Sequence, residues 1–180
     1  SEFETPAVNF VATVRRTVDA RWARANASQP TKLASDYSVT LTQGLAEIVF
    51  GDGAAVIVQA PATFEPTGTN AIRLDAGRIV ATVPAAAHGF AVETAGGLIT
   101  DYGTEFGVHV NHDGQTLAQT FTGRIGLIPA DGGDELDLAA GDAVVAAPSG
   151  RVRRVEPDAL AFVRREEYSA RQATAPDVYQ

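Results

Sequence analysis

Apolar residues recur at every second position through much of this chain, which is the period of a half-buried β-strand. The alternation is clear over Val8–Val14 and again at Phe106, Val108 and Val110. Turn-forming residues, such as Gly51–Gly53, interrupt it about every ten residues. The pattern predicts an all-β fold: a single domain of many short, mostly antiparallel strands, arranged as a sandwich or jelly roll or as an irregular β-solenoid.

Helical spacing competes with the strand interpretation near the start, since Val11, Val14 and Val18 would also share one helix face. We favour a strand there. Proline and glycine set the other boundaries. We expect the polar segment Ala23–Ser35 to be a loop and the strand after Gly53 to end at Pro61.

Glycines indicate further strand boundaries. The apolar runs Ile72–Leu74 and Gly77–Val83 are expected to be separate strands, and Asn111–Gly114 a hairpin turn. A weak internal echo, L-x-x-G followed by a strand, occurs at Leu41–Gly44, Leu74–Gly77 and Leu138–Gly141. In each copy we expect the glycine to let the chain bend tightly between strands.

The C-terminal part differs in character. Pro157 suits a helix start, and good helix formers follow as far as Arg171, so a short helix is expected there. We therefore divide the chain into residues added in cloning (1–7), a β domain (8–156), and a short helix with a linker to a further region (157–180).

Composition narrows the functional classes. The formal net charge of the 180-residue chain is −8, which disfavours nucleic-acid binding in spite of local arginine pairs. Cysteine is absent, so disulfides, thiolate metal sites and cysteine nucleophiles are excluded. Runs of apolar residues stay well short of the roughly 18 that a membrane helix needs.

The histidines are His88, His109 and His112. On a strand, the H-x-x-H spacing of the last two sends their imidazoles to opposite faces, whereas a β-barrel metal site favours H-x-H. We expect no metal and no cofactor. The acidic loop Asp131–Asp137 is rich in oxygen ligands but lacks the spacing of a calcium-binding EF-hand loop.

The segment Gly89–Val110 is predicted to form two strands joined by the polar turn Asp101–Glu105. Asp101 and Glu105 would suit acid–base catalysis if they faced one cleft, which leaves a divergent enzyme as a weak alternative. We favour a structural role instead, in which Asp101 and Thr104 accept backbone N–H groups and hold the turn. No catalytic residue is assigned, and the chain is not expected to be an enzyme.

Several segments, in order, resemble the FecR family of bacterial regulatory domains. The likeness runs from about Val8 to Tyr168. The segments that carry it are VATVRRTVDARW (Val11–Trp22), TQGLAEIVFGDGAAVIVQAPATFE (Thr42–Glu65), AGRIVATVP (Ala76–Pro84), GFAVETAGGLITDYGTEFGVHVNHDGQTLAQTFTGRIGL (Gly89–Leu127) and FVRREEY (Phe162–Tyr168).

The resemblance implies a non-catalytic signalling domain. The best-known members of the family are transmembrane regulators of extracytoplasmic-function sigma factors, whose outer domain senses an outer-membrane siderophore receptor. We therefore expect a periplasmic or extracytoplasmic domain of a membrane-anchored protein. It would bind a protein partner, an outer-membrane receptor or envelope component, in signal transduction that includes iron uptake.

The polar turn between the two predicted strands is the candidate site. The residues Asp101, Gly103, Thr104, Glu105 and Phe106 are expected to form a structural turn or a partner contact. The alternative function is an adhesion or carbohydrate-associated structural module of a large bacterial envelope protein, because related surface proteins carry this domain before a lectin-like sandwich.

Overall fold

The computed structural model describes residues 7–23, 30–158 and 161–174. They form an all-β body with one short C-terminal helix, which confirms the predicted fold class. The strands are β1 Phe10–Trp22, β2 Lys32–Ala34, β3 Val39–Phe50, β4 Ala55–Gly68, β5 Ala71–Thr82, β6 Ala91–Thr94, β7 Gly97–Asp101, β8 Glu105–Val110, β9 Thr116–Thr122, β10 Arg124–Pro129, β11 Leu136–Ala139, β12 Ala143–Ala146 and β13 Val152–Val155. The helix is α1, Arg165–Thr174, and a 3₁₀ turn lies at Ala85–Ala87.

Four long strands, β1, β3, β4 and β5, form the centre, and each contributes to two arms of one open sheet. In arm I the pairing order is β2-β1-β3-β4-β5-β8-β9-β12-β13. In arm II the remaining halves of β1, β3, β4 and β5 pair in the same order. The sheet then continues from β5 to β6, β7, β10 and β11. Neighbours pair antiparallel except for β5 with β6, which is parallel.

The arms separate because the pairing register is interrupted at neighbouring positions in adjacent long strands. The shifts lie at 18–21 in β1, 41–45 in β3 and 59–63 in β4. Such bulges bend a strand and increase its twist. Gly44 and Gly77 lie on this line with φ of +82° and +110°, which supports the expected role of the L-x-x-G glycines.

One hydrophobic core fills the space between the arms. It includes the leucines of the L-x-x-G copies, Leu41, Leu74 and Leu138, all fully buried. Hydrogen bonds join the arms away from the bend, because Thr116 Oγ1 donates to Thr94 Oγ1 at 2.8 Å and Thr120 Oγ1 donates to the carbonyl of Leu138 at 3.1 Å. The arms therefore close into a sandwich-like body.

Several predicted boundaries are wrong. The strand β4 does not end at Pro61 but continues to Gly68; Pro61 lies in the register interruption, where its missing N–H costs no ladder bond. Likewise β5 runs through Gly77 as one strand. The predicted loop at 23–35 contains β2, which pairs with β1, whereas residues 24–29 lie outside the described ranges.

Two further corrections concern the C-terminal half. The segment Gly89–Val110 forms three strands, since β6 and β7 make a hairpin and β8 pairs with β5 and β9 instead. The helix begins at Arg165 and not at Pro157, because Phe162 and Val163 first pack onto arm I. No helix in the described ranges is long and apolar enough to cross a membrane.

Candidate interaction surface

The predicted site segment connects the two arms, with Asp101 at the end of β7 and Glu105 at the start of β8. The Asp101 carboxylate is fully buried, and its Oδ2 accepts the backbone N–H of Gly103 at 3.0 Å. Gly103 adopts φ +95°, a left-handed conformation that glycine tolerates without strain. Asp101 thus closes a turn of the kind in which an aspartate bonds to the backbone two residues on.

Burial affects the chemistry of this turn. Desolvation raises the pKa of Asp101, opposed by the Gly103 N–H and by the charge of His88. Its Oδ1 and the Thr104 hydroxyl are buried without a hydrogen-bond partner in the described parts of the chain. Thr104 therefore does not accept a backbone N–H there as expected, and Phe106 is a fully buried member of the core.

Glu105 points the other way, to the outer face of arm I. Its Oε1 accepts a hydrogen bond from Arg164 Nε at 3.0 Å, and the Arg164 guanidinium lies 4.4 Å from the centre of the Phe121 ring. With Asp101 inside the body and Glu105 outside, the two carboxylates do not form the facing pair that acid–base catalysis would use.

Glu105 belongs to a larger contact between arm I and the chain that follows β13. We call residues 158 and 161–168 the strap. It crosses the strands: the N–H of Asp158 donates to Gln119 Oε1 in β9 at 3.1 Å, and Phe162 packs on Gly107 in β8. A Cβ at Gly107 would lie 2.9 Å from the Phe162 ring, so the glycine is what allows the close approach.

The strap ends over the long strands. Val163 and Tyr168 form a second hydrophobic cluster with Leu45 and Ile57, with Val18 packed against it. Tyr168 is fully buried, and burial together with the neighbouring Glu47 carboxylate raises its pKa to about 12. Its hydroxyl makes no hydrogen bond of normal geometry with the described residues.

Glu47 is a buried carboxylate under this cluster. A bulge in β1 sets Arg16 opposite Glu47 with Arg15 as the extra residue, so two consecutive arginines reach one acid. Arg15 Nε lies 3.5 Å from Oε1 and Arg16 Nη2 lies 3.5 Å from Oε2. The two cations compensate the cost of burying the charge.

The histidines and the acidic loop are the places where the sequence offers potential metal ligands. His109 borders an open cleft of about 460 Å³ with Pro61, Arg78 and His112. Desolvation, and then the charge of Arg78, lower the pKa of His109. Within the described residues no three histidine, aspartate or glutamate side chains are grouped so that they could hold a metal ion. In the acidic loop, Asp131 Oδ1 accepts the N–H of Gly133 at 2.9 Å.

Sequence reasoning missed most of the strap contact. The resemblance included Phe162–Tyr168, but neither Gly107 nor Glu47 was singled out. Two signals were present: a glycine in the middle of an alternating strand, and the pair Arg15–Arg16, which breaks the alternation of β1. The glycine marks where the strap packs on arm I, and the arginine pair marks the buried Glu47 beneath the Tyr168 cluster.

Comparisons with known proteins agree with this architecture. The family model described as "FecR protein" matches residues 36–126, just over half of the chain. Two solved structures of a candidate anti-sigma factor from Parabacteroides distasonis have a similar fold, with TM-scores of 0.57 and 0.56 at 16% identity. Each match covers 68% of this chain and 61% of the other, so this chain spans about three-fifths of theirs. No curated protein matches.

Proposed function

This chain belongs to the FecR protein family, and we propose on that premise that it is a non-catalytic signalling domain that acts by binding another protein. The observation that carries the proposal is the family match over residues 36–126, which contains β3 to β9 completely and so includes strands of both arms. The fold shared with the candidate anti-sigma factor supports the same regulatory class.

The proposal extends to setting and partner. The domain lies outside the cytoplasm, in a membrane-anchored protein, and its partner is an outer-membrane receptor or another envelope component. The signal it transmits is the state of that partner, with iron uptake as the process. The described body is consistent with a binding role because the strap and arm I together form an outer surface, joined in part by the Glu105–Arg164 ion pair.

Affinity capture from native envelope tests the proposal. The full-length gene product, tagged and cross-linked in its own cells, should retain a defined envelope protein, and deleting its gene should change transcription controlled by an alternative sigma factor. Retention of glycans with no protein partner would instead support the adhesion module and contradict a signalling role. Unchanged transcription after deletion would also contradict it.

A further inference from the structure

One row of residues on the outer face of arm I is left uncovered by the strap. In register across five neighbouring strands lie Arg78, His109, Leu117, Val145 and Arg153. Residues directly opposite each other on paired strands point to the same side of the sheet, so these five side chains form one surface. We call them the shelf.

The strap buries the adjacent row of residues on the same face. Two residues along each strand, Gly107, Gln119 and Ala143 are buried on the same outer face, Gly107 and Gln119 in direct contact with the strap. The other shelf residues are partly exposed, and Arg153 is exposed. The strap therefore runs beside the shelf and leaves room for a second segment parallel to it.

The shelf is cationic and apolar on an acidic chain. Arg78 and Arg153 stand near its ends and form no ion pair with the described residues, and no carboxylate belongs to the row. Leu117 and Val145 are neutral and half-buried between them. With 22 acidic against 14 basic residues in the whole chain, this separation of charge favours an acidic partner.

The edge strand β13 favours a bound segment that crosses the strands over one that pairs with β13 as an additional strand. In the described chain β13 pairs only with β12, so its other edge is open. Yet Arg153 and Arg154 project from its two faces, and charged side chains on an edge strand discourage pairing. Arg154 also reaches Asp142 at 3.6 Å.

We propose that the shelf binds an acidic, extended segment of the partner protein, laid across the strands beside the strap. Four strand spacings separate Arg78 from Arg153, about 19 Å, which an extended segment of about six residues spans. Carboxylates near the ends of the segment meet the two arginines, and an apolar side chain between them covers Leu117 and Val145. This inference rests on the proposed protein-binding function.

A defined peptide tests the shelf without knowledge of the partner. The probe is an eight-residue peptide with two glutamates at each end and leucines and serines between, titrated into ¹⁵N-labelled protein at low salt. We expect amide shifts centred on Arg78, His109, Leu117, Val145 and Arg153. The variant Arg78→Glu/Arg153→Glu should weaken binding about tenfold or more, because two attractions become repulsions.

Matched controls separate the shelf from net charge and from misfolding. The variant Arg21→Glu/Lys32→Glu carries the same charge change on exposed residues of β1 and β2, away from the shelf and the strap, and should bind as the wild type does. The neutral variant Arg78→Gln/Arg153→Gln should show an intermediate loss and a native spectrum. A peptide with lysine in place of glutamate should not bind.

Two outcomes overturn the proposal: peptide shifts absent or centred elsewhere, and equal weakening by the shelf and control variants. These are distinct from failure of the proposed function. If the peptide binds the shelf but the full-length protein captures no envelope protein, the signalling proposal fails. If an envelope protein is captured equally by wild type and Arg78→Glu/Arg153→Glu, the shelf assignment fails and the signalling proposal stands.

Discussion

At the scale of single residues, two buried carboxylates are stabilised in different ways. Glu47 is held between Arg15 and Arg16, each 3.5 Å away. Asp101 has a single backbone N–H partner, and its second oxygen has no hydrogen bond in the described residues. Two cations thus lie beside the Glu47 carboxylate, whereas desolvation makes the charge on Asp101 oppose folding.

The raised pKa of Asp101 predicts a pH dependence of stability. Because the folded protein favours the protonated acid, the contribution of Asp101 is fully present below about pH 4 and is lost as pH rises through the folded-state pKa. The advantage of wild type over Asp101→Ala in free energy of unfolding should thus be largest near pH 4 and shrink toward pH 7. Urea denaturation across that range measures it.

An advantage that instead grew with pH would contradict the buried, poorly compensated carboxylate. His88 also interacts with Asp101, so the same series in a His88→Gln background is the control. If the pH dependence persists without His88, desolvation of Asp101 is its source.

At the scale of elements, the strap is attached by packing more than by hydrogen bonds. Tyr168 fills a site between Leu45 and Ile57, and its buried hydroxyl makes no hydrogen bond of normal geometry with the described residues. An unsatisfied buried hydroxyl costs free energy, so the ring and not the oxygen supplies the attachment.

We predict that Tyr168→Phe leaves the free energy of unfolding unchanged or raises it by up to about 1 kcal/mol. With the pKa of Tyr168 raised to about 12, the wild type should also lose stability relative to this variant as pH rises above about 10. Tyr168→Ala is the comparison and should cost about 3–5 kcal/mol through lost packing. Thermal and urea denaturation measure both; a loss in Tyr168→Phe as large as in Tyr168→Ala would show that the hydroxyl is the attachment.

The sequence predicted elements well where the evidence was local. Alternation identified β8, and Asn111–Gly114 was correctly placed as the turn that follows it, in which Asn111 Oδ1 accepts the N–H of Asp113 at 3.0 Å. Local signals gave wrong strand ends at Pro61 and Gly77, because proline and glycine often end strands. There, long-range pairing placed both residues in a shared bulge and allowed β4 and β5 to continue.

The candidate site was less predictable for a related reason. The hydrogen bond from a backbone N–H to Asp101 was correctly predicted because its two partners are only two residues apart in the sequence. The contacts of Phe162 with Gly107 and of Arg164 with Glu105 join residues more than fifty positions apart, so they depend on how β8 and the strap are brought together. No local period carries that information.

At the scale of the whole molecule, the line of bulges decides whether the two arms can close over one core. Gly77 lies on this line in β5, where an added Cβ would lie 2.5 Å from Ala62 Cβ and 2.7 Å from the carbonyl oxygen of Pro61. Neither neighbour is the end of a flexible side chain. The bend therefore leaves no space for a larger residue.

We predict that Gly77→Ala lowers the free energy of unfolding by at least about 2 kcal/mol, from backbone strain at φ +110° together with overpacking. Gly132→Ala is the matched control, since Gly132 also has a positive φ but has nothing within 4 Å of its added Cβ. It should cost about 1 kcal/mol. Equal losses in the two variants, measured by urea denaturation, would mean that the bend does not depend on close approach.

The bent strands also determine where the family can change in length. One residue inserted into β1, β3, β4 or β5 shifts the register by one and turns core side chains in both arms toward solvent. An insertion in the β6–β7 or β12–β13 hairpin affects only the tip of one arm. Insertions and deletions among relatives should therefore collect at those tips, while the spacing between successive bulges stays constant.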